Sequence, residues 1–113
     1  MEFKASKRFA RISATKVRPV IDLIRGLPVN EAVEVLRYSG KRGAHFVDRV
    51  LRSAMANASE DGRVDVDSLY VREARADQGP ALKRIRQRAR GMAYTIRKRT
   101  SHITLILDEK EAK

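Results

Sequence analysis

Residues 79–100 read GPALKRIRQRARGMAYTIRKRT, and how this stretch folds decides the architecture of the chain. It holds Lys83, Arg84, Arg86, Arg88, Arg90, Arg97, Lys98 and Arg99, and no Asp or Glu. Eight cations in so short a run repel one another, so the segment needs a polyanion to settle against. A phosphate-rich partner, nucleic acid, fits that need.

Two local regularities compete for the stretch. Pro80 suits a first helical position, Leu82, Ile85 and Ala89 recur at helical spacing, and Gly91 suits the residue past a helix end. That pattern predicts a basic amphipathic helix, a form that meets RNA, partner grooves or membrane surfaces and would serve a free-standing nucleic-acid-binding regulator. Arg84, Arg86, Arg88 and Arg90, however, share parity and would project from one face of a strand at intervals of roughly 6.5 Å. Successive guanidiniums could then meet successive phosphates, each as a flat two-pronged donor. If the chain folds back at 87–91 and 92–98 returns beside it, the result is a ribbon about 30 Å long. Periodicity leaves both forms open.

The rest of the chain supplies a mount for this segment. With 113 residues it has room for a modest core, and its 25 Lys and Arg against 14 Asp and Glu give a net charge of +11. Eight of the 25 cations lie in the one stretch, so the charge is placed and not diffuse. No cysteine is present, which excludes disulfides, thiolate nucleophiles and cysteine-ligated metals and is compatible with a reducing compartment. No apolar run suits a signal peptide or a bilayer span, so a cytoplasmic protein without membrane attachment is expected.

In residues 2–12, Phe3, Ala5 and Phe9 share parity and predict a half-buried strand, although Ala10 interrupts the alternation. Ser13 reads as the N-cap of a helix to about residue 25, with Val17, Val20, Ile21 and Ile24 as its apolar stripe, Gly26 as its stop and a bend at Pro19. A second helix is expected over 29–38, closed by Gly40, and a third over 41–59 with Ala44, Val47, Val50, Leu51, Ala54, Met55 and Ala58 facing inward. Residues 69–77 and 103–107 read as strands, the latter β-branched at three of five positions. Phe3, Phe9, Phe46 and Met55 are expected in the core. Helices in a block beside an antiparallel sheet make an α+β fold, and the basic stretch joins two strands able to pair as neighbours.

Catalysis finds no footing. His45 and His102 lack a partnered serine or carboxylate constellation, and no phosphate loop or metal-ligand spacing is present, so no enzyme activity, cofactor or metal is expected. A secondary basic patch is expected from Lys7, Arg8, Arg11, Ser13, Lys16 and Arg18, where a helix start could also hold a phosphate. Lys41 and Arg42 read equally as a solvated face or as RNA contacts.

The ordered set Ser13-Ala14-Thr15-Lys16-Val17-Arg18, Asp22-Leu23-Ile24-Arg25-Gly26, Ser53-Ala54 with Ala56-Asn57-Ala58, Gly79-Pro80 with Lys83-Arg84, Arg88-Ala89 and Gly91, and Lys98-Arg99-Thr100-Ser101-His102-Ile103 resembles the bacterial L-twenty-two family of large-subunit ribosomal proteins. The resemblance covers nearly the whole chain. It implies three helices packed on a small three-stranded antiparallel sheet, with a long protruding β-hairpin at 79–98. That selects the strand form of the basic stretch. It further implies binding of large-subunit rRNA across several domains, a role in early subunit assembly, and a globular part near the peptide exit. The hairpin tip, Gln87, Arg88, Ala89, Arg90 and Gly91, would line the tunnel beside the nascent peptide. Other large-subunit proteins are implied as neighbours, and no homo-oligomer is expected. Gln87 stands where members often have proline and Met92 where they often have arginine. Recognition by shape and phosphate is expected, and if all eight arm cations displaced counterions the log–log salt slope would be on the order of −6.

Overall fold

The computed structural model describes residues 2–87 and 89–109. Strand β1 (Glu2–Ala10) leads into helices α1 (Ala14–Ile24), α2 (Val29–Tyr38) and α3 (Arg42–Asp61), followed by strands β2 (Leu69–Gln78), β3 (Leu82–Gln87), β4 (Ala93–Lys98) and β5 (Ser101–Glu109). One antiparallel sheet has the order β1-β5-β2, and β3 and β4 form a separate two-stranded ribbon.

β5 is the axis of the fold. It is flanked on both sides, so its Ile103, Leu105 and Leu107 are wholly buried, each burial favouring folding by about 1.5–3 kcal/mol. Register places Phe3, Ala5 and Lys7 of β1 opposite Leu107, Leu105 and Ile103, and Val71, Ala74 and Ala76 of β2 opposite the same three residues. This face receives the helices: α3 packs on β1 and β5, α1 on β2, and α2 on the other two helices. The apolar stripe of α1 is buried as its spacing predicts, at Ala14, Val17, Val20, Ile21 and Ile24. Helix α1 continues through Pro19, which lies inside it. At the crossing of α1 and α3 the helices approach closely because Gly43 has no side chain. A Cβ there would stand 3.1 Å from the Lys16 carbonyl oxygen and 3.4 Å from the Val17 Cα.

Several sequence expectations change. β1 ends at Ala10, short of residue 12; within it the register slips between Lys7 and Ala10, and at that bulge Phe9 is turned out of the core to 52 % exposure with φ at 58°. The lost alternation at Ala10 is this bulge, and Ala10 is buried in place of Phe9. Phe46 and Met55 pack against the core while remaining half-buried. Ser13 occupies the N-cap position of α1 without a side-chain cap hydrogen bond, and Ser39, not Gly40, caps α2. α3 runs two residues further than expected, to Asp61, and stops on Gly62 in the left-handed conformation. β5 extends the expected 103–107 by two residues at each end, because both its flanks are paired along that length.

The basic stretch is a β-ribbon, so the amphipathic-helix form is not the one the chain takes. Leu82 to Gln87 pair with Lys98 to Ala93 in unbroken antiparallel register. Apolar spacing of three and four suggests a helix, but Ile85 is 77 % exposed and Ala89 is exposed too, so that spacing forms no buried stripe. The ribbon stands off the rest: principal extents are 67 × 24 × 19 Å, and the radius of gyration is 17.2 Å, where a compact chain of this length has about 13 Å.

Candidate nucleic-acid interface

The root of the ribbon fixes where its charges lie. β2 and β5 run side by side to Gln78 and Ser101, and the ribbon continues from their ends. Gly79 donates its N–H to the Thr100 carbonyl at 2.9 Å, and the Thr100 hydroxyl donates to the Pro80 carbonyl at 2.6 Å. A Cβ on residue 79 would fall 2.6 Å from the Thr100 Oγ1, so only glycine lets the two limbs close this tightly. Thr100 is buried at this clasp, although it flanks the most basic run of the chain.

Beside the clasp lies a cleft of about 580 Å³. One wall is the turn into α1, with Arg11, Ile12, Ser13 and Lys16. Arg42 joins it from the start of α3. The other wall is the base of the ribbon, with Leu82, Arg84, Arg97, Lys98, Arg99 and Thr100. Seven of these residues are cationic and none is acidic. Among the described residues none of the seven forms an ion pair, whereas Arg25, Arg52, Arg63, Arg72 and Arg75 all do. Arg72 bridges the far end of the sheet, paired with Glu2 on β1 and with Asp108 on β5 at 3.6 Å. The ion pairs among the described residues therefore lie away from the cleft, whose own cations have no carboxylate in its lining. Like charges gathered this way carry a standing repulsion that an anionic ligand relieves, and walls of low dielectric concentrate the field between them. The first turn of α1 contributes backbone donors and the positive end of its dipole to the same place.

Further out the ribbon is charged on both faces. Register sets Arg84 and Arg86 on one face with Lys98, and Lys83 with its partner Arg97 on the other. The expected row of four arginines on one face holds at Arg84 and Arg86. Arg90 leaves it because residues 89–91 form a tight turn, in which Arg90 (φ 67°) and Gly91 (φ 71°) are left-handed. Arg88 lies outside the described residues. Gln87, Ala89, Arg90, Gly91 and Met92 form the far end and are all exposed.

Of the expected secondary patch, Arg11, Ser13 and Lys16 line the cleft. Lys7, Arg8 and Arg18 do not: Arg8 lies over the Phe9 ring, 5.4 Å from its centre, and Arg18 donates to the Ala76 carbonyl at 3.4 Å. Arg42 belongs to the cleft and Lys41 does not line it. Sequence spacing could not decide between those two, because which flank of α3 meets the ribbon root depends on the α1–α3 crossing at Gly43.

A thin basic ribbon on an α+β body, with a cationic cleft at its root, defines the class of small α+β proteins whose charged surface suits a phosphate-rich partner. The family model described as "Ribosomal protein L22p/L17e" matches residues 5–108, and the chain belongs to that family. It is similar to large ribosomal subunit protein uL22 of Thermus thermophilus, 58 % identical over 113 residues and the full length of both chains. The protein of the same name from Caldicellulosiruptor saccharolyticus is 56 % identical over 107 residues, 95 % of this chain and 88 % of that one. That from Bdellovibrio bacteriovorus is 52 % identical over 110 residues, 97 % of this chain and all of the relative.

Proposed function

We propose that this protein is a structural constituent of the large ribosomal subunit that binds large-subunit rRNA through the ribbon and the cleft at its root. The helices and the three-stranded sheet form the anchored body near the peptide exit. The ribbon wedges between rRNA segments, contacting several domains and stabilising their approach early in assembly. Its tip, from Gln87 through Gly91, lines the nascent-peptide tunnel, and other large-subunit proteins are its neighbours. The observation that carries this proposal is the cleft's seven cations without a carboxylate, continuous with a ribbon whose backbone is satisfied by its own ladder. A wedge between RNA segments must be thin, must leave no backbone polar group unmet, and must neutralise phosphates brought together. A two-stranded ribbon studded with Lys and Arg meets all three demands.

A photo-reactive residue at position 90, in subunits carrying a radiolabelled stalled nascent chain, tests the placement. Crosslinking from position 90 and none from position 63 is expected. Crosslinks from 63 and none from 90 would refute it.

A further inference from the structure

Phe9 combines three features that a strand residue rarely shows together. It is exposed, its backbone is left-handed at φ 58°, and its ring is held on two sides. A bulky residue with positive φ costs energy and persists only where its surroundings impose it, and such residues gather at ligand clamps. Here the Phe9 N–H donates to His102 Nδ1 at 3.0 Å. The same imidazole meets the Phe9 ring edge-on, with centroids 4.9 Å apart and planes at 86°. Arg8 sets its guanidinium 5.4 Å from the ring centre. The ring is thus pre-positioned without being buried.

We propose that Phe9, steadied by His102 and flanked by Arg8, is a stacking site for one unpaired nucleobase of the bound RNA. This rests on the RNA-binding function proposed above and adds a base contact to a surface otherwise suited to phosphate. The neighbourhood suits it: Arg11 and Thr100, each two residues from a member of the cluster, line the cationic cleft. That proximity in the chain would let a strand whose phosphates lie in the cleft bring a splayed base onto the ring face that the Arg8 guanidinium leaves open, with Arg8 adding a cation to the same ring. The strain at Phe9 is accounted for as the cost of holding an aromatic outward.

The chain has no tryptophan, so Phe9→Trp introduces a single indole reporter. The full-length variant is titrated with a twelve-nucleotide oligoadenylate and, separately, with inorganic polyphosphate. Stacking predicts quenching by the oligonucleotide and none by polyphosphate at equal occupancy. Phe9→Gly, which accepts positive φ without strain, is expected to bind oligoadenylate roughly 5- to 150-fold more weakly while its polyphosphate affinity stays unchanged, and Phe9→Tyr to bind as the parent does. Equal quenching by both polymers, or undiminished oligoadenylate binding by Phe9→Gly, would overturn the stacking site, including in favour of a protein partner at this ring. Loss of cleft cations lowers affinity for both polymers alike, so failure of the RNA-binding function itself gives a different pattern.

Discussion

Replacing Arg97 and Arg99 together by glutamine separates what the cleft does for binding from what it does for folding. Both residues line the cleft, both are exposed, and neither forms an ion pair among the described residues. Each phosphate contact contributes about 0.7 to 0.9 to the log–log salt slope, so losing two should make the slope shallower by about 1.4 to 1.8. With the electrostatic contribution vanishing near 1 M salt, the lower figure gives losses of about 60-fold at 50 mM and about 10-fold at 200 mM. Folding should respond in the opposite sense. Arg97 faces Lys83 across the ribbon, and directly opposed like charges destabilise a sheet by roughly 0.2–1 kcal/mol. The free double variant should therefore melt at or slightly above the temperature of the parent. Fluorescence anisotropy with a labelled large-subunit rRNA fragment across 50–400 mM KCl gives the slope, and calorimetry gives the melting temperature. An unchanged slope, or a melting temperature several degrees lower, would refute the idea that these charges are kept for a ligand and not for the fold.

Other consequences concern the scaffold. Gly43→Val should destabilise the protein by about 1–3 kcal/mol in chemical unfolding, because the added carbons meet the α1 backbone where even a Cβ sits 3.1 Å from an oxygen. Thr100→Val removes the hydroxyl that ties the ribbon root to Pro80 and leaves that carbonyl unmet, for about 1–3 kcal/mol by the same measurement. Leu105→Ala, at the centre of β5, should cost about 2–5 kcal/mol. In hydrogen exchange on the RNA-free protein, the amides of β3 and β4 should exchange far faster than those of β5, since an isolated two-stranded ribbon is marginal in water; equal protection of the two would count against it.

The helices were legible in the sequence where one face is buried and the other solvated, as along α1, and β5 was legible from its β-branched apolar run. The ribbon was not decided by periodicity, because Leu82, Ile85 and Ala89 carry a helical spacing while the arginines carry a strand spacing, and neither set is buried to settle the matter. Resemblance to a known family selected the form that the backbone takes. Phe9 was misplaced because parity counting cannot see a bulge, and the interruption at Ala10 was the one local sign of it. The cleft was half legible. Arg11, Ser13, Lys16 and the ribbon cations stand out as basic runs, but the inclusion of Arg42 and the exclusion of Lys7, Arg8 and Arg18 depend on how α1, α3 and the ribbon root meet.

Residue-resolved chemical footprinting of lysine and arginine side chains, on the free protein and on intact large subunits, tests the phosphate-holding surface most directly. Strong loss of reactivity in the subunit at Lys16, Arg42, Arg97 and Arg99, with Arg63 in its exposed pair with Asp61 little changed, is the predicted result. Undiminished reactivity of those four side chains in the assembled subunit would contradict it.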